Sequence, residues 1–158
     1  MSTAEKVANY FLALQDHDAG DSISHMKLQK LVYYAQGVSL ALRGEELFPE
    51  RVEAWDHGPV VPDLYHRYKE HGSSPIPKTT IDADDYTNEE IEILDEVYEV
   101  FGQFSAWKLR NMTHQEPPWK DAYNQHQGAE ITREAMKAFF DTMVDHGEEK
   151  EDTEPPGK

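Results

Sequence analysis

Ser24-His-Met-Lys-Leu-Gln-Lys-Leu-Val-Tyr-Tyr-Ala-Gln-Gly-Val-Ser-Leu-Ala-Leu-Arg-Gly44 is the stretch on which the fold turns. Ser24 is a residue type that caps a helix start, and Gly44 one that follows a helix end. Between them Leu28, Leu31, Val32, Ala35, Val38 and Leu42 recur at three and four, one apolar stripe. A helix of this length rises roughly 30 Å, the width of a small domain. It is expected to be the spine of the core.

Working outward, the flanking segments repeat the same grammar. A first helix starts at Ser2 or Thr3, with Ser2 and Glu5 spaced as a capping box and Val7, Tyr10, Phe11 and Leu14 on one face. Asp16 to Asp21 forms the connecting loop. After the spine, Arg51-Val-Glu-Ala-Trp55 alternates, so a short β element is expected near residues 47–57, ended by Pro59 and Pro62. Pro62 opens a third helix with Leu64, Tyr65 and Tyr68 inward and Gly72 as its stop. Residues 73–86 form a loop, where Ile76 and Ile81 either anchor it or add a second short strand. Thr87 and Glu90 form another capping box, before Ile91, Leu94, Val97, Tyr98 and Phe101. A shorter helix runs from Ser105 to about Thr113, and Pro117-Pro-Trp119 starts a further turn. Thr132 caps the last helix, with Ile131 and Met136 as a hydrophobic staple and Phe139, Phe140 and Met143 continuing its stripe. The expectation is a mainly α, compact single domain of about six helices over residues 1–146. An acidic, apolar-free tail, disordered by composition, follows over 147–158.

The chain has 158 residues, enough for one real core, and a net charge of −16. Residues 1–80 hold 8 Lys/Arg against 11 Asp/Glu, whereas residues 81–158 hold 7 against 20. Such a field repels phosphates and anionic lipid, so direct nucleic-acid or membrane binding is not expected. No apolar run reaches membrane-spanning length, and the first residues do not resemble a signal peptide. There is no cysteine, which removes disulfides, thiolate metal sites and thiol nucleophiles and fits a cytoplasmic protein.

No pattern demands chemistry. His66 and His71 are poorly spaced to share a metal, and no metalloprotease, calcium-loop, nucleophile-elbow or phosphate-loop motif occurs. Asp56 with His57, or His114 with Glu116, could be drawn as a dyad, but eight histidines in a chain of this size are mostly surface or capping residues. Neither a catalytic residue, a metal nor a cofactor is assigned, and a hydrolase remains the weaker alternative. Two stretches stand out instead as partner-binding candidates. In Lys27-Leu-Gln-Lys-Leu-Val-Tyr-Tyr-Ala-Gln36, Lys27, Lys30 and Tyr34 share a face apart from the core stripe, and Lys30 lies three residues from Tyr33, in cation–π range. In Glu53-Ala-Trp-Asp-His-Gly-Pro-Val-Val-Pro-Asp-Leu-Tyr65, Trp55, His57 and Tyr65 sit on a rigid corner, and Trp and Tyr most often anchor protein interfaces. The plainer readings are an amphipathic helix with snorkelling lysines and a Trp55 that plugs the core. No Lys or Arg occurs from Thr79 to Trp107, so Glu92 and Glu96 belong to an acidic helix face that either steers a basic partner or is merely solvated.

These two stretches, in this order and about twenty residues apart, resemble the Panacea domain, also called the SocA-like antitoxin domain or phage-associated GepA-like proteins. The likeness spans roughly residues 4–125, and the Glu116-Pro-Pro-Trp119 turn resembles the family's usual ending. The resemblance implies a mainly helical fold and an antitoxin that neutralises a cognate toxin by direct binding. One branch of the family delivers its toxin to the ClpXP protease, which is therefore a further expected partner. Some members add a DNA-binding domain, for which this chain has no evident room. A phage accessory protein acting on a host factor is the alternative within the binding class. The resemblance carries over no catalytic residue.

Overall fold

The computed structural model describes residues 2–144; the expected tail over 147–158 lies outside the described residues. The spine is α2 (His25–Arg43), capped by Ser24 at one end and stopped by Gly44 in the left-handed conformation. Sixteen of its nineteen residues are buried, so it is surrounded rather than laid against a core. A helix enclosed on all sides is normally apolar all round. This one is not, and the protein satisfies its polar side chains with loop backbone. Gln36 accepts from Leu47 N–H at 2.6 Å and donates to Phe48 C=O at 2.8 Å. Gln29 accepts from Val61 N–H at 2.9 Å, and Ser39 donates to Glu45 C=O at 2.8 Å. Two irregular segments are thereby pinned to the spine, their backbone groups bonded as burial requires.

Around α2 pack α1 (Ala4–Leu14), α3 (Pro62–Tyr68), α4 (Asn88–Phe101), α5 (Ala106–His114) and α7 (Arg133–Met143), while α6 (Pro117–Gln125) packs on α5, α7 and the sheet. Gly37 is the closest point: a Cβ there would lie 2.2 Å from the Phe140 ring, so only glycine lets α7 seat on the spine. A three-stranded antiparallel sheet, ordered β2 (Gly58–Val60), β1 (Val52–Trp55), β3 (Glu130–Ile131), closes one end. Arg133 ties α7 to the 46–50 segment through Glu46 and the Phe48 and Glu50 carbonyls.

The mainly α architecture is as the sequence suggested, with several corrections. Thr3, not Ser2, caps α1, and no Ser2–Glu5 box forms, because Ser2 is drawn inward by its N–H bond to Leu47 C=O. Residues 117–125 are a full helix rather than a turn, which makes seven α-helices among the described residues. Pro59 does not end the β element but lies within strand; the turn is Asp56-His57, and Trp55 pairs with Gly58. The third strand, Glu130–Ile131, carried no sequence signal in its two residues. Ile76 anchors its loop without forming a strand, donating its N–H to Ile23 C=O. On α4, Ile93 is buried where Ile91 was expected, and Tyr98 is only half-buried. Leu14, Leu42 and Met143, read as core, are exposed, because each lies at a helix end that its neighbours do not cover.

Candidate functional site

The two stretches singled out in the sequence meet at one concavity. The first turns of α2, the β1–β2 turn, α3 and the start of α5 enclose a pocket of about 710 Å³. Its lining includes His25, Gln29, Lys30, Trp55, His57, Tyr65, Lys69 and Trp107. The walls are aromatic by construction. Pairing of β1 with β2 presents Trp55, whose ring lies 4.9 Å from that of Tyr65 on α3. Trp55 is half-buried, so it lines an opening rather than plugging the core. Its Nε1 donates to Glu53 at 2.9 Å, and its carbonyl accepts from Trp119 Nε1 at 2.8 Å. Tyr65 also faces His25, 5.5 Å away centroid to centroid. Burial, together with the Lys30 and His71 charges, pushes the His25 imidazole down to about 4, so it is neutral at physiological pH.

Lys30 is the unusual member. Its side chain is 1% exposed. Its path to the pocket runs past Gly58, which has φ +127; a Cβ at that residue would lie 2.7 Å from Lys30 Cε and 3.1 Å from Thr113 Oγ1. Gly58 thus links the two sequence motifs physically, since one supplies the lysine and the other the gap it occupies. Burial, joined by the Arg110 guanidinium, lowers the Lys30 ammonium to about 7.

The remaining expected residues are placed differently. The ridge anticipated on α2 is not a surface feature: Lys27, Lys30, Tyr33 and Tyr34 are all buried, because α4, α5 and α7 cover the spine. Lys27 donates to Gly102 C=O at 2.6 Å, closing the C-terminal end of α4, a favourable place for a cation. Tyr34 stacks on Phe101 at 4.1 Å and donates to Glu116 Oε2 at 2.8 Å. Burial raises Glu116 to about 7, with the Tyr34 bond acting the other way. Tyr33 packs edge-on to Phe140, and the anticipated Lys30–Tyr33 cation–π contact does not form. Glu92 and Glu96 are exposed on α4, away from the pocket; Glu96 borders a smaller groove with Leu42, Val100 and Met143.

The pairs that could have been drawn as dyads are otherwise engaged. Both ring nitrogens of His114 face backbone carbonyls, of Arg110 at 2.7 Å and Asp56 at 2.8 Å. The Asp56 carboxylate accepts from the Tyr123 hydroxyl. Among the described residues no cluster of three or more His, Asp or Glu side chains could hold a metal, and no helix is long and apolar enough to cross a membrane. Sequence reasoning missed Trp107, 63% exposed at the pocket rim with Arg110 over its ring at 4.9 Å. It also missed His25, Gln29 and Lys69. A tryptophan in the first turn of a capped helix was a visible signal for Trp107, but only long-range packing brings it opposite Trp55.

Comparison with known proteins enters at this point. A family model described as Antitoxin SocA-like, Panacea domain, matches residues 28–120, a span that contains Lys30, Trp55, His57, Gly58, Tyr65, Trp107 and Arg110. Over 62 residues the chain is 39% identical to the protein named Antitoxin SocA of Caulobacter vibrioides, an alignment covering 39% of this chain and 33% of that protein. The chain therefore spans about a third of the length of that curated relative. No solved structure matches.

Proposed function

The chain belongs to the SocA-like antitoxin, Panacea domain family, and from that premise we propose that it is the antitoxin of a toxin–antitoxin pair and restrains its toxin in the cytoplasm by binding it directly. What supports the reading is the convergence of both family-like motifs on one aromatic-walled pocket, with Trp55, Tyr65 and Trp107 around its mouth. Exposed or half-buried Trp and Tyr around a cavity are the anchors and rims that protein interfaces use. The pocket, rather than the buried ridge of α2, is the contact surface in this reading, and His57 at the turn lies on its edge.

Co-expression with the toxic reading frame that neighbours this one tests it. Growth is expected to return, and the two proteins to co-purify. Persistent toxicity with no complex would overturn the antitoxin reading, and recovery of a host protein in place of a neighbouring gene product would point to the accessory role. Hand-over to ClpXP, the finer proposal, is read in the same strains: toxin half-life shortens only when both this chain and the protease are present.

A further inference from the structure

Lys30 is 1% exposed, its ammonium opens on the pocket, and it makes no hydrogen bond or ion pair to any described residue. A buried ammonium without a counter-ion is among the costliest groups a fold can carry, and proteins normally pair or remove it. No carboxylate of the surrounding segments pairs with it: Glu53 holds Trp55 Nε1 and Arg51, Asp56 takes the Tyr123 hydroxyl, and Glu116 takes the Tyr34 hydroxyl on Oε2 and keeps Oε1 buried without a donor. The charge that acts on it is another cation, Arg110, whose Nε is itself buried without an acceptor. In a chain of net charge −16 the pocket lining nonetheless holds Lys30 and Lys69 against Asp56 alone, with His25 and His57 as its other titratable bases and Tyr65 as its phenol. The rest of the lining mixes aromatic and aliphatic side chains with neutral polar ones, Ser24, Gln29, Ser73 and Gln127.

We infer that the partner inserts an Asp or Glu side chain, carried beside an aromatic or aliphatic one, into this pocket, where its carboxylate becomes the missing counter-ion of Lys30. The inference rests on the antitoxin reading only for the identity of the partner. Association then converts an unpaired buried charge into a charge-assisted hydrogen-bonded pair, while the neighbouring apolar group fills the space between Trp55, Tyr65 and Trp107. The cost of keeping Lys30 unpaired in the free protein is recovered only on binding. The acidic partner segment is distinct from any basic surface that the α4 carboxylates attract.

The test uses the purified full chain and small probes read by tryptophan fluorescence. 3-Phenylpropionate, a carboxylate joined to an aromatic ring, is expected to give a saturable change at pH 6.5. Its neutral amide is expected to bind about tenfold more weakly. Lys30→Met should abolish the preference, and Trp107→Ala should weaken both probes. Equal binding of acid and amide, or an unchanged preference in Lys30→Met, overturns the proposal. So does tighter binding of inorganic phosphate, which would mark a site for a free anion. In cells, a Lys30→Met chain that folds but rescues as well as wild type sinks the carboxylate inference and leaves the antitoxin reading standing. Absence of rescue by wild type with the probe preference intact does the reverse.

Discussion

At the N-terminal end of α2, Lys30 runs between α5 and the sheet into an aromatic pocket and meets no counter-ion. At the C-terminal end, Val38 and Leu42 border a groove of about 230 Å³, rimmed by Glu96 and shaped by Val100, Phe140 and Met143. The first region places one charge out of water; the second leaves several charges, Glu92, Glu96 and Glu99, in water. Solvated carboxylates on a helix face cost little and specify little, since water screens them. An enclosed ammonium costs stability continuously. The difference teaches where to look for function: the fold carries an unpaired buried cation at the pocket, although the acidic face dominates the composition.

The strongest way to break this contrast is Lys30→Met, which keeps the side chain's length and removes its charge. Toxin capture is expected to fall by about 2–5 kcal/mol, read as a loss of affinity in titration of the purified pair. The same variant should unfold at higher denaturant, with stability at pH 7 raised by about 2 kcal/mol, because an unpaired buried cation has been removed. A loss of stability instead would make Lys30 an ordinary structural residue. Next in size is Gly58→Ala. It forces an L-residue at φ +127 and a methyl toward Lys30 Cε, so about 1–3 kcal/mol of stability should be lost, measured by thermal or chemical unfolding. An unperturbed variant would show that Lys30 does not need that gap.

The pH dependence sharpens the comparison from the other side. With folded Lys30 near 7 against an ordinary 10.5, both states carry the proton below pH 7 and the penalty is complete. Between 7 and 10.5 only the unfolded chain binds it, so this group makes stability climb with pH, by at most about 1.4 kcal/mol per unit. Glu116, raised to about 7 from 4.5, acts oppositely in a lower window, lowering stability as pH rises from 4.5 to 7. Denaturation series of wild type, Lys30→Met and Glu116→Gln should separate the two slopes; a wild-type profile identical to that of Lys30→Met between pH 7 and 9.5 would contradict the first. The smallest effect belongs to the acidic face. Glu92→Gln with Glu96→Gln should leave stability within about 0.5 kcal/mol and slow toxin association only a few-fold, and only at low salt. A rate insensitive to both salt and these substitutions removes steering from the account.

Much of the architecture was legible because its signals are local. Ser24, Thr87, Ser105 and Thr132 all cap the helices their spacing implied, and the Thr87–Glu90 box forms in full. Pro62 opens α3 as its fixed backbone angle suggests. The errors are where the signal is not local. Period placed Lys27, Lys30 and Tyr34 on one face of α2 but could not say that other helices cover that face. Pro59 reads as a strand end in isolation, yet Gly58-Pro59 becomes strand by pairing with Trp55 and Ala54.

The sequence by itself determined the helical class, the central place of residues 24–44 and the two stretches from which the site is built, because capping and period act within a few residues of the chain. Only the tertiary structure decided that Lys30 is enclosed without a partner, that Trp107 and Trp55 share one pocket, and that Tyr34 is spent on Glu116 eighty-two positions away. Burial and pairing are properties of contacts between distant segments. No window of sequence contains them until the chain has closed on itself.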